Sequence, residues 1–279
     1  MVKLQVLIAT FGAEGLLRVA EMKLPRLAEV EYLVSCQIPG QPTPPIPSSL
    51  NRNDLHIYFS DSRGLSRNRN ILLEQATAPF CLIADDDLSY EPECLLEVIR
   101  ILDQNPEISV ATFMYCDESG NYEKSYPDYS FDLQSPVKGY FPTSFEIAFR
   151  NKDVKDAEVL FNENFGIGAP HYGCGEEDLW LHELMKKGLQ GRFFPVMLAT
   201  HKGETTGIRS AAKPEVLRAQ GVVIALTYPL ASFPRIILKA WRTSKTAEKS
   251  FRRCLKYLLQ GWADSFLKRK QLFGKAHNS

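Results

Sequence analysis

Short apolar runs alternate with amphipathic stretches through most of the chain. Apolar runs of five to seven residues predict buried strands, and apolar residues at three- and four-residue spacing predict helices. The predicted strands are 3–9, 31–36, 55–59, 79–84 and 109–113, and the predicted helices are 14–22, 65–76, 92–104 and 176–187. This alternation predicts an α/β fold, with a largely parallel sheet between helices and ligands at the carboxyl ends of the strands.

Three adjacent aspartates, Asp85, Asp86 and Asp87, follow the apolar run 80–84 directly. Their charges repel one another, so a sequence that ends a buried strand on them favours a bound cation at that point. A solvated turn or a helix cap is the alternative interpretation of the triplet.

Two further elements carry candidate chemistry. The sequence 175–178, Gly-Glu-Glu-Asp, opens an amphipathic stretch, and a carboxylate near a metal site can serve as a general base. His201 follows the apolar run 193–198 and offers an imidazole ligand to the same ion. The alternatives are that the acidic residues only complement a helix N-terminus and that His201 is an ordinary loop histidine.

Residues 64–87, GLSRNRNILLEQATAPFCLIADDD, resemble the signature of family 2 glycosyltransferases with the GT-A fold. That pattern is a Gly-x-Ser-x-x-Arg-Asn helix start, an apolar strand and an acidic triplet or DxD motif. The resemblance continues in residues 161–168 and 172–178, where the sequence is similar to the Gly-Glu-Asp motif of inverting members. It covers about the first 205 residues of the chain.

The resemblance implies a Rossmann-like three-layer αβα sandwich with a mostly parallel central sheet and a C-terminal helical extension. It implies a GT-A domain over residues 1–210 that moves a sugar, in particular a UDP-hexose, from a nucleotide diphosphate to a saccharide or lipid-linked acceptor, with inversion. Such an enzyme would serve polysaccharide or glycoconjugate biosynthesis.

The resemblance also assigns roles to individual residues. Asp178 becomes the catalytic base and Glu177 a residue that binds or orients the acceptor. Asp87 becomes the direct ligand of Mn²⁺ or Mg²⁺, with Asp85 and His201 as further metal residues. The predicted donor nucleotide-binding residues are Thr10, Arg67, Arg69, Asp85 and Asp86. For Arg67 and Arg69, structural ion pairing is the alternative.

The sequence departs from the family pattern at two places. The family's Pro-Thr-Tyr-Asn after the first strand is replaced by Ala9-Thr-Phe-Gly, so that only Thr10 is retained. The second strand usually ends on an aspartate that holds the nucleobase, and residues 33–37 contain none. Ser35 or Gln37 would have to supply that contact, so the presence of a nucleotide is predicted more firmly than its identity.

The neutral net charge hides a basic C-terminal segment. From residue 232 onward the chain has twelve Lys and Arg against Glu248 and Asp264, which leaves 21 basic and 31 acidic residues before it. Within 211–279, apolar residues recur at helical spacing among the cations: Phe251, Leu255, Leu258, Trp262 and Phe266. This pattern fits either a helix on an anionic membrane surface or a helix that packs its stripe on the body. The acidic body disfavours nucleic acid as a partner.

The remaining features are those of a globular intracellular enzyme. The longest apolar run, 222–230, is too short to span a bilayer, and the opening residues lack the apolar core of a signal peptide. Six scattered cysteines indicate reduced thiols and not a disulfide or zinc framework. We therefore expect a cytoplasmic protein, either free or peripheral on the inner face of the membrane.

Two other classes of function stay open. A sugar-phosphate nucleotidyltransferase shares the layered architecture and a metal carboxylate, although residues 9–14 lack its Gly-rich, Arg-containing loop. A non-catalytic saccharide-binding protein on the same fold would keep the architecture without the chemistry.

Overall fold

The predicted strands and helices form a mixed α/β structure around a nine-stranded sheet. The computed structural model describes residues 1–203, 212–268 and 272. The strands are β1 (Leu4–Phe11), β2 (Val30–Gln37), β3 (Leu55–Ser60), β4 (Phe80–Ala84), β5 (Leu88–Ser89), β6 (Val110–Asp117), β7 (Phe131–Asp132), β8 (Ile147–Arg150) and β9 (Gly191–His201). The helices are α1 (Gly12–Glu21), α2 (Leu65–Gln75), α3 (Pro92–Gln104), α4 (Asn151–Ala157), α5 (Glu176–Lys186), α6 (Pro214–Thr227), α7 (Ser232–Thr246) and α8 (Phe251–Leu267).

The sheet has the strand order β3-β2-β1-β4-β8-β6-β9-β5, and β7 pairs with β9. Strands β1 to β4 are mutually parallel, and β6 and β9 are parallel to each other. β8 lies antiparallel between β4 and β6. The predicted mostly parallel central sheet is confirmed, and β4, which ends at the aspartate triplet, lies in its middle.

The central strands are buried on both faces. Seven of the eight residues of β1 are buried, and all five residues of β4 are buried. Strands covered on both faces read as continuous apolar runs instead of alternating ones, which is why the runs 3–9 and 79–84 were visible in the sequence. β5, β7 and β8 were not predicted, because strands of two to four residues are too short to show a period. β9 was not predicted as a strand either, although its apolar run 193–198 was noted in the sequence.

The chain divides into two compact units. Unit 1 contains residues 1–63, 67–160 and 183–204, including the whole sheet. Unit 2 contains residues 64–66, 161–182 and the described part of 205–279. No helix within the described ranges is long and apolar enough to cross a membrane.

Three helices form the core of unit 2. Leu217 of α6, Ile236 and Ala240 of α7, and Cys254 and Leu258 of α8 are buried in one apolar cluster. Part of the apolar stripe predicted on residues 251–266 therefore packs against the other helices of unit 2. Leu258 is fully buried, and Leu255 and Trp262 pack against the cluster, whereas Phe251 and Phe266 remain exposed.

Glycines allow α6 and α8 to approach each other closely. A methyl group on Gly261 would lie 1.9 Å from the carbonyl oxygen of Arg218, and one on Gly221 would lie 2.1 Å from that of Leu258. Both distances are far below van der Waals contact, and the obstructing atoms are backbone. The two glycines thus set the separation of these helices.

We expect Gly261→Ala to lower the free energy of unfolding by about 2–3 kcal/mol, because the added methyl group forces the helices apart. This loss exceeds the gain of about 1 kcal/mol that alanine brings to a helix interior. Urea denaturation measures the change. Gly173→Ala is the control, since Gly173 has open space within 4 Å and should change stability little. Equal stability of Gly261→Ala and the wild type would contradict this packing.

Candidate active site

Each aspartate of the triplet at the end of β4 has a different partner in unit 1. Asp85 accepts a hydrogen bond from the Arg69 guanidinium at 2.9 Å. Asp86 accepts from Arg18, and Asp87 lies beside His201. Each of the three adjacent carboxylates therefore has its own basic partner, which is a guanidinium group for Asp85 and Asp86 and an imidazole for Asp87.

Arg69 is a buried cation fixed on two sides. It is 2% exposed, and it donates to Asp85 and, at 2.7 Å, to the hydroxyl of Ser144. Burial raises the pKa of Asp85, and the neighbouring Asp87 and Asp86 add to this, while Arg69 opposes it. Arg69 thus forms a structural ion pair with the first aspartate, the alternative to its predicted contact with the donor nucleotide, and it orients that carboxylate at the end of the strand. Arg67, two residues before Arg69 on α2, is exposed to solvent.

Asp86 joins α1 to the ends of β1 and β4. Its two oxygens accept hydrogen bonds from Arg18 at 3.0 and 2.8 Å, and one of them also accepts from the hydroxyl of Thr10. Gly15 is required here, because a methyl group on it would lie 2.0 Å from the Thr10 hydroxyl oxygen. The hydrogen bond of Asp86 raises the pKa of Arg18, against the opposing effect of burial.

Asp87 and His201 form the part of this cluster best suited to a cation. His201 Nε2 lies 3.4 Å from Asp87 Oδ2, and its Nδ1 lies 2.9 Å from the carbonyl oxygen of Gly203. Burial lowers the pKa of His201, but the hydrogen bond and charge of Asp87, together with Gly203 and Glu123, outweigh it, so the pKa is raised above 6.5. In the neutral imidazole, donation from Nδ1 to Gly203 leaves the Nε2 lone pair facing Asp87.

These residues fit a divalent cation of the magnesium or manganese type. Oδ1 of Asp87 is buried and has no hydrogen-bond partner among the described residues. An imidazole held through its other nitrogen by a carbonyl is the usual arrangement of a metal-binding histidine. The described ranges contain no group of three or more His, Cys, Asp or Glu side chains that could hold a metal. Mg²⁺ sites that also use substrate phosphates need only one or two carboxylates.

Asn68, which the sequence analysis did not single out, connects the ends of β1 and β2. Its side-chain amide is buried and donates to the carbonyl oxygens of Thr10 and Ser35, each at 3.0 Å. Asn68 Oδ1 and Ser35 Oγ are buried without a hydrogen-bond partner in the described part of the chain. The polar edge of the sheet therefore continues from the aspartates to β2.

Unit 2 contains the second acidic cluster, at the start of α5. Gly175 has φ of +90° and stands immediately before the helix, whose first turn carries Glu176, Glu177 and Asp178. Glu176 is buried, Glu177 is half-buried and Asp178 is exposed to solvent. A methyl group on Gly166 would lie 3.2 Å from the Glu176 carboxyl carbon. Gly166 thus allows its backbone to lie close to the Glu176 carboxyl group, and Gly175 allows the left-handed backbone conformation that precedes the helix. Asp178 is the exposed member of the cluster.

Two titratable side chains of unit 2 respond to this cluster. Burial raises the pKa of the Cys174 thiol to about 12, and the charges of Glu176, Glu177 and Asp178 add to it. Cys174 is consequently an unreactive thiol. Burial lowers the pKa of Lys239 on α7, and Asp178 is the largest influence in the opposite direction.

Residues 47–162 match the model of the family described as glycosyl transferase family 2. Over this segment the chain is similar to that family. The matched segment contains β3, α2, β4 and the whole aspartate triplet, together with Arg69, and it spans less than half of the chain. No curated protein matches its sequence.

The structure is similar to crystal structures of TarS from S. aureus. TarS 1-349 has a TM-score of 0.59 at 15% identity, covering 99% of this chain and 82% of that one. TarS 1-349 in complex with UDP-GlcNAc has a TM-score of 0.56 at 17% identity, covering 88% and 73%. A longer TarS structure has a TM-score of 0.55 at 15% identity, and this chain spans 46% of its length. At these identities the similarity establishes a shared GT-A fold.

The structure brings together most of the residues that the sequence singled out in unit 1. The contacts among these candidate residues are Thr10 with Asp86, Arg69 with Asp85, and His201 with Asp87. Asp178 and Glu177 share one helical turn in unit 2. Sequence reasoning missed Arg18 and Asn68, since a cation on an amphipathic helix and one asparagine in a polar helix turn resemble ordinary surface residues. It also missed Glu123, whose carboxylate lies 4.0 Å from His201 Nδ1.

Proposed function

We propose that this chain transfers a hexose from a UDP-sugar to a hydroxyl group of a saccharide or lipid-linked acceptor, with inversion at the anomeric carbon, in polysaccharide or glycoconjugate biosynthesis. The observation that supports the metal-dependent part is the Asp87–His201 pair at the end of β4, where one carboxylate oxygen is buried and has no hydrogen-bond partner within the described ranges. A nucleotide complex of a protein with the same fold, TarS with UDP-GlcNAc, supports the choice of donor.

In this proposal, residues 1–210 are the GT-A domain and residues 211–279 are a helical extension. Asp87 and His201 would hold Mn²⁺ or Mg²⁺, with Asp85 as a further metal or ribose contact. The cation supplies positive charge that neutralises the departing diphosphate. Arg69 fixes Asp85 so that its carboxylate cannot turn away from the strand end. Thr10, Arg67 and Asp86 complete the proposed donor-binding set.

Asp178 is the proposed base. An alcohol is a poor nucleophile at neutral pH, and a carboxylate that accepts its proton as it attacks accelerates the step. Asp178 is accessible to solvent on the first turn of α5, as such a base must be. In a single displacement, the acceptor oxygen bonds to the anomeric carbon, the bond to the diphosphate breaks, and the proton passes to Asp178. Glu177 would orient the acceptor.

The proposal includes a cytoplasmic location. All six cysteines are free thiols, and Cys36, Cys81, Cys116 and Cys254 are buried. Reduced thiols in this number are typical of cytosolic proteins.

A panel of nucleotide sugars tests the donor, with and without Mn²⁺. A ligand that binds only the folded state at a hundred times its Kd stabilises by about 2.7 kcal/mol, which raises the melting temperature of a protein of this size by roughly 5–10 °C. We expect UDP-sugars to raise the melting temperature by this amount only when Mn²⁺ is present. We also expect the protein to transfer the sugar of the bound donor to water or to an acceptor. Formation of UDP-sugar from UTP and a sugar 1-phosphate would instead identify a nucleotidyltransferase, and glycan binding without turnover would identify a binding protein.

A further inference from the structure

Helix α7 presents apolar residues on two different faces. Ile236, Ala240 and Thr243, spaced by four and three residues, are buried, and the first two belong to the apolar core of unit 2. This face accounts for the packing of the helix against α6 and α8. The residues on the other apolar face are not needed for that contact.

The second face is exposed along the whole helix. Phe233, Ile237 and Trp241 follow one another at four-residue spacing and are 53%, 40% and 53% exposed. Leu238 beside them is 43% exposed, and Leu230, just before the helix, is fully exposed. Single exposed apolar residues are common on protein surfaces, but a continuous row containing two aromatic side chains indicates a surface that something covers.

A row of cations borders this exposed face. Arg235 and Arg242 are exposed, and Lys245 stands exposed in the last turn. The helix contains no acidic residue. The next segment adds further exposed cations, which are Lys249, Arg252, Arg253 and Lys256. The exposed cations of α7 and of the segment that follows it thus account for much of the charge surplus of the C-terminal segment.

We propose that the exposed face of α7, formed by Leu230, Phe233, Ile237, Leu238 and Trp241, docks on an anionic lipid surface. Helices that lie in a membrane interface combine an apolar aromatic face with flanking Lys and Arg, and each cation near an anionic surface contributes about 1 kcal/mol. A second copy of the chain is a poorer occupant, because a symmetric contact through this face would bring the same cations together.

This inference is independent of the proposed transfer reaction, since none of these residues belongs to the proposed catalytic or donor-binding set. It also moves the membrane contact from α8, where the sequence pattern placed it, to α7. In α8 the centre of the apolar stripe is buried against the neighbouring helices of unit 2. The sequence pattern alone could not distinguish the two helices.

Sedimentation of the full chain with phospholipid vesicles tests the proposal. We expect it to bind vesicles of phosphatidylcholine mixed with phosphatidylglycerol much better than vesicles of phosphatidylcholine alone. Phe233→Ser/Trp241→Ser should lower the partition coefficient by about tenfold or more, because it removes the two aromatic anchors. The matched control is Leu17→Ser/Leu160→Ser, which changes two residues of unit 1 that are 56% and 62% exposed.

A second pair of variants tests the charge contribution. Arg235→Gln/Arg242→Gln should weaken binding to anionic vesicles by about fivefold per charge and leave binding to neutral vesicles unchanged. Lys152→Gln/Lys186→Gln is the control, since both lysines are exposed on unit 1. All variants should keep the wild-type melting temperature, because the altered side chains lie outside the core.

Two outcomes would overturn the proposal. The first is equal binding of the wild type to neutral and anionic vesicles, or no binding to either. The second is a dimer in light scattering that Phe233→Ser/Trp241→Ser dissociates, which would assign the face to a second copy of the chain.

Discussion

Asp178→Asn is expected to reduce the rate of sugar transfer by about a thousandfold, within the range of 10²–10⁴ that a general base contributes. The amide has nearly the same shape as the carboxylate but cannot take up the proton of the acceptor hydroxyl. Initial rates with a UDP-sugar donor and a saccharide acceptor measure the effect.

A measurement of donor affinity distinguishes the loss of the catalytic base from damage to the donor-binding site. UDP affinity by calorimetry should be the same in Asp178→Asn as in the wild type, so that the loss appears in kcat. Asp156→Asn removes an equally charged and exposed carboxylate from α4 and should transfer at the wild-type rate. Transfer by Asp178→Asn within tenfold of the wild type would reject the assignment, and Glu177→Gln would then be the next variant to test.

Asp87→Ala is expected to weaken the part of UDP binding that depends on Mn²⁺ by at least about tenfold. Asp87 contributes the buried oxygen that has no hydrogen-bond partner among the described residues, and its removal leaves the His201 imidazole and the Asp85 carboxylate as the proposed contacts of the cation. Loss of one of these protein ligands should weaken metal-dependent binding by at least about tenfold. Calorimetric titration of UDP, with Mn²⁺ and with a chelator, measures both affinities.

The structure supplies two comparisons for this experiment. Asp103→Ala removes a surface carboxylate that pairs with Lys3 and should keep metal-dependent binding intact. Asp85→Ala should instead destabilise the protein, because it leaves the buried Arg69 cation without its carboxylate partner. UDP binding by Asp87→Ala that still tightens with Mn²⁺ would reject the proposed metal site.

Much of the sheet followed from the sequence because its central strands are buried on both faces. Burial on both faces requires continuous apolar runs, and these marked β1, β2 and β4 at nearly the observed positions. The short strands β5, β7 and β8 were not predictable, because their pairing depends on neighbours that are distant in sequence. In the C-terminal segment, the apolar spacing revealed helices but not which apolar face is buried.

The sequence by itself determined the α/β fold, a family resemblance and the chemical types of the candidate residues, because these depend on local apolar runs and on a motif contiguous in the chain. Only the tertiary structure decided how the three aspartates differ. Arg18, Arg69 and His201 come from distant segments, and each faces a different carboxylate, so the charges are divided between structural pairing and a position suited to a cation. Identical neighbours in sequence acquire different properties because long-range packing selects the partner of each.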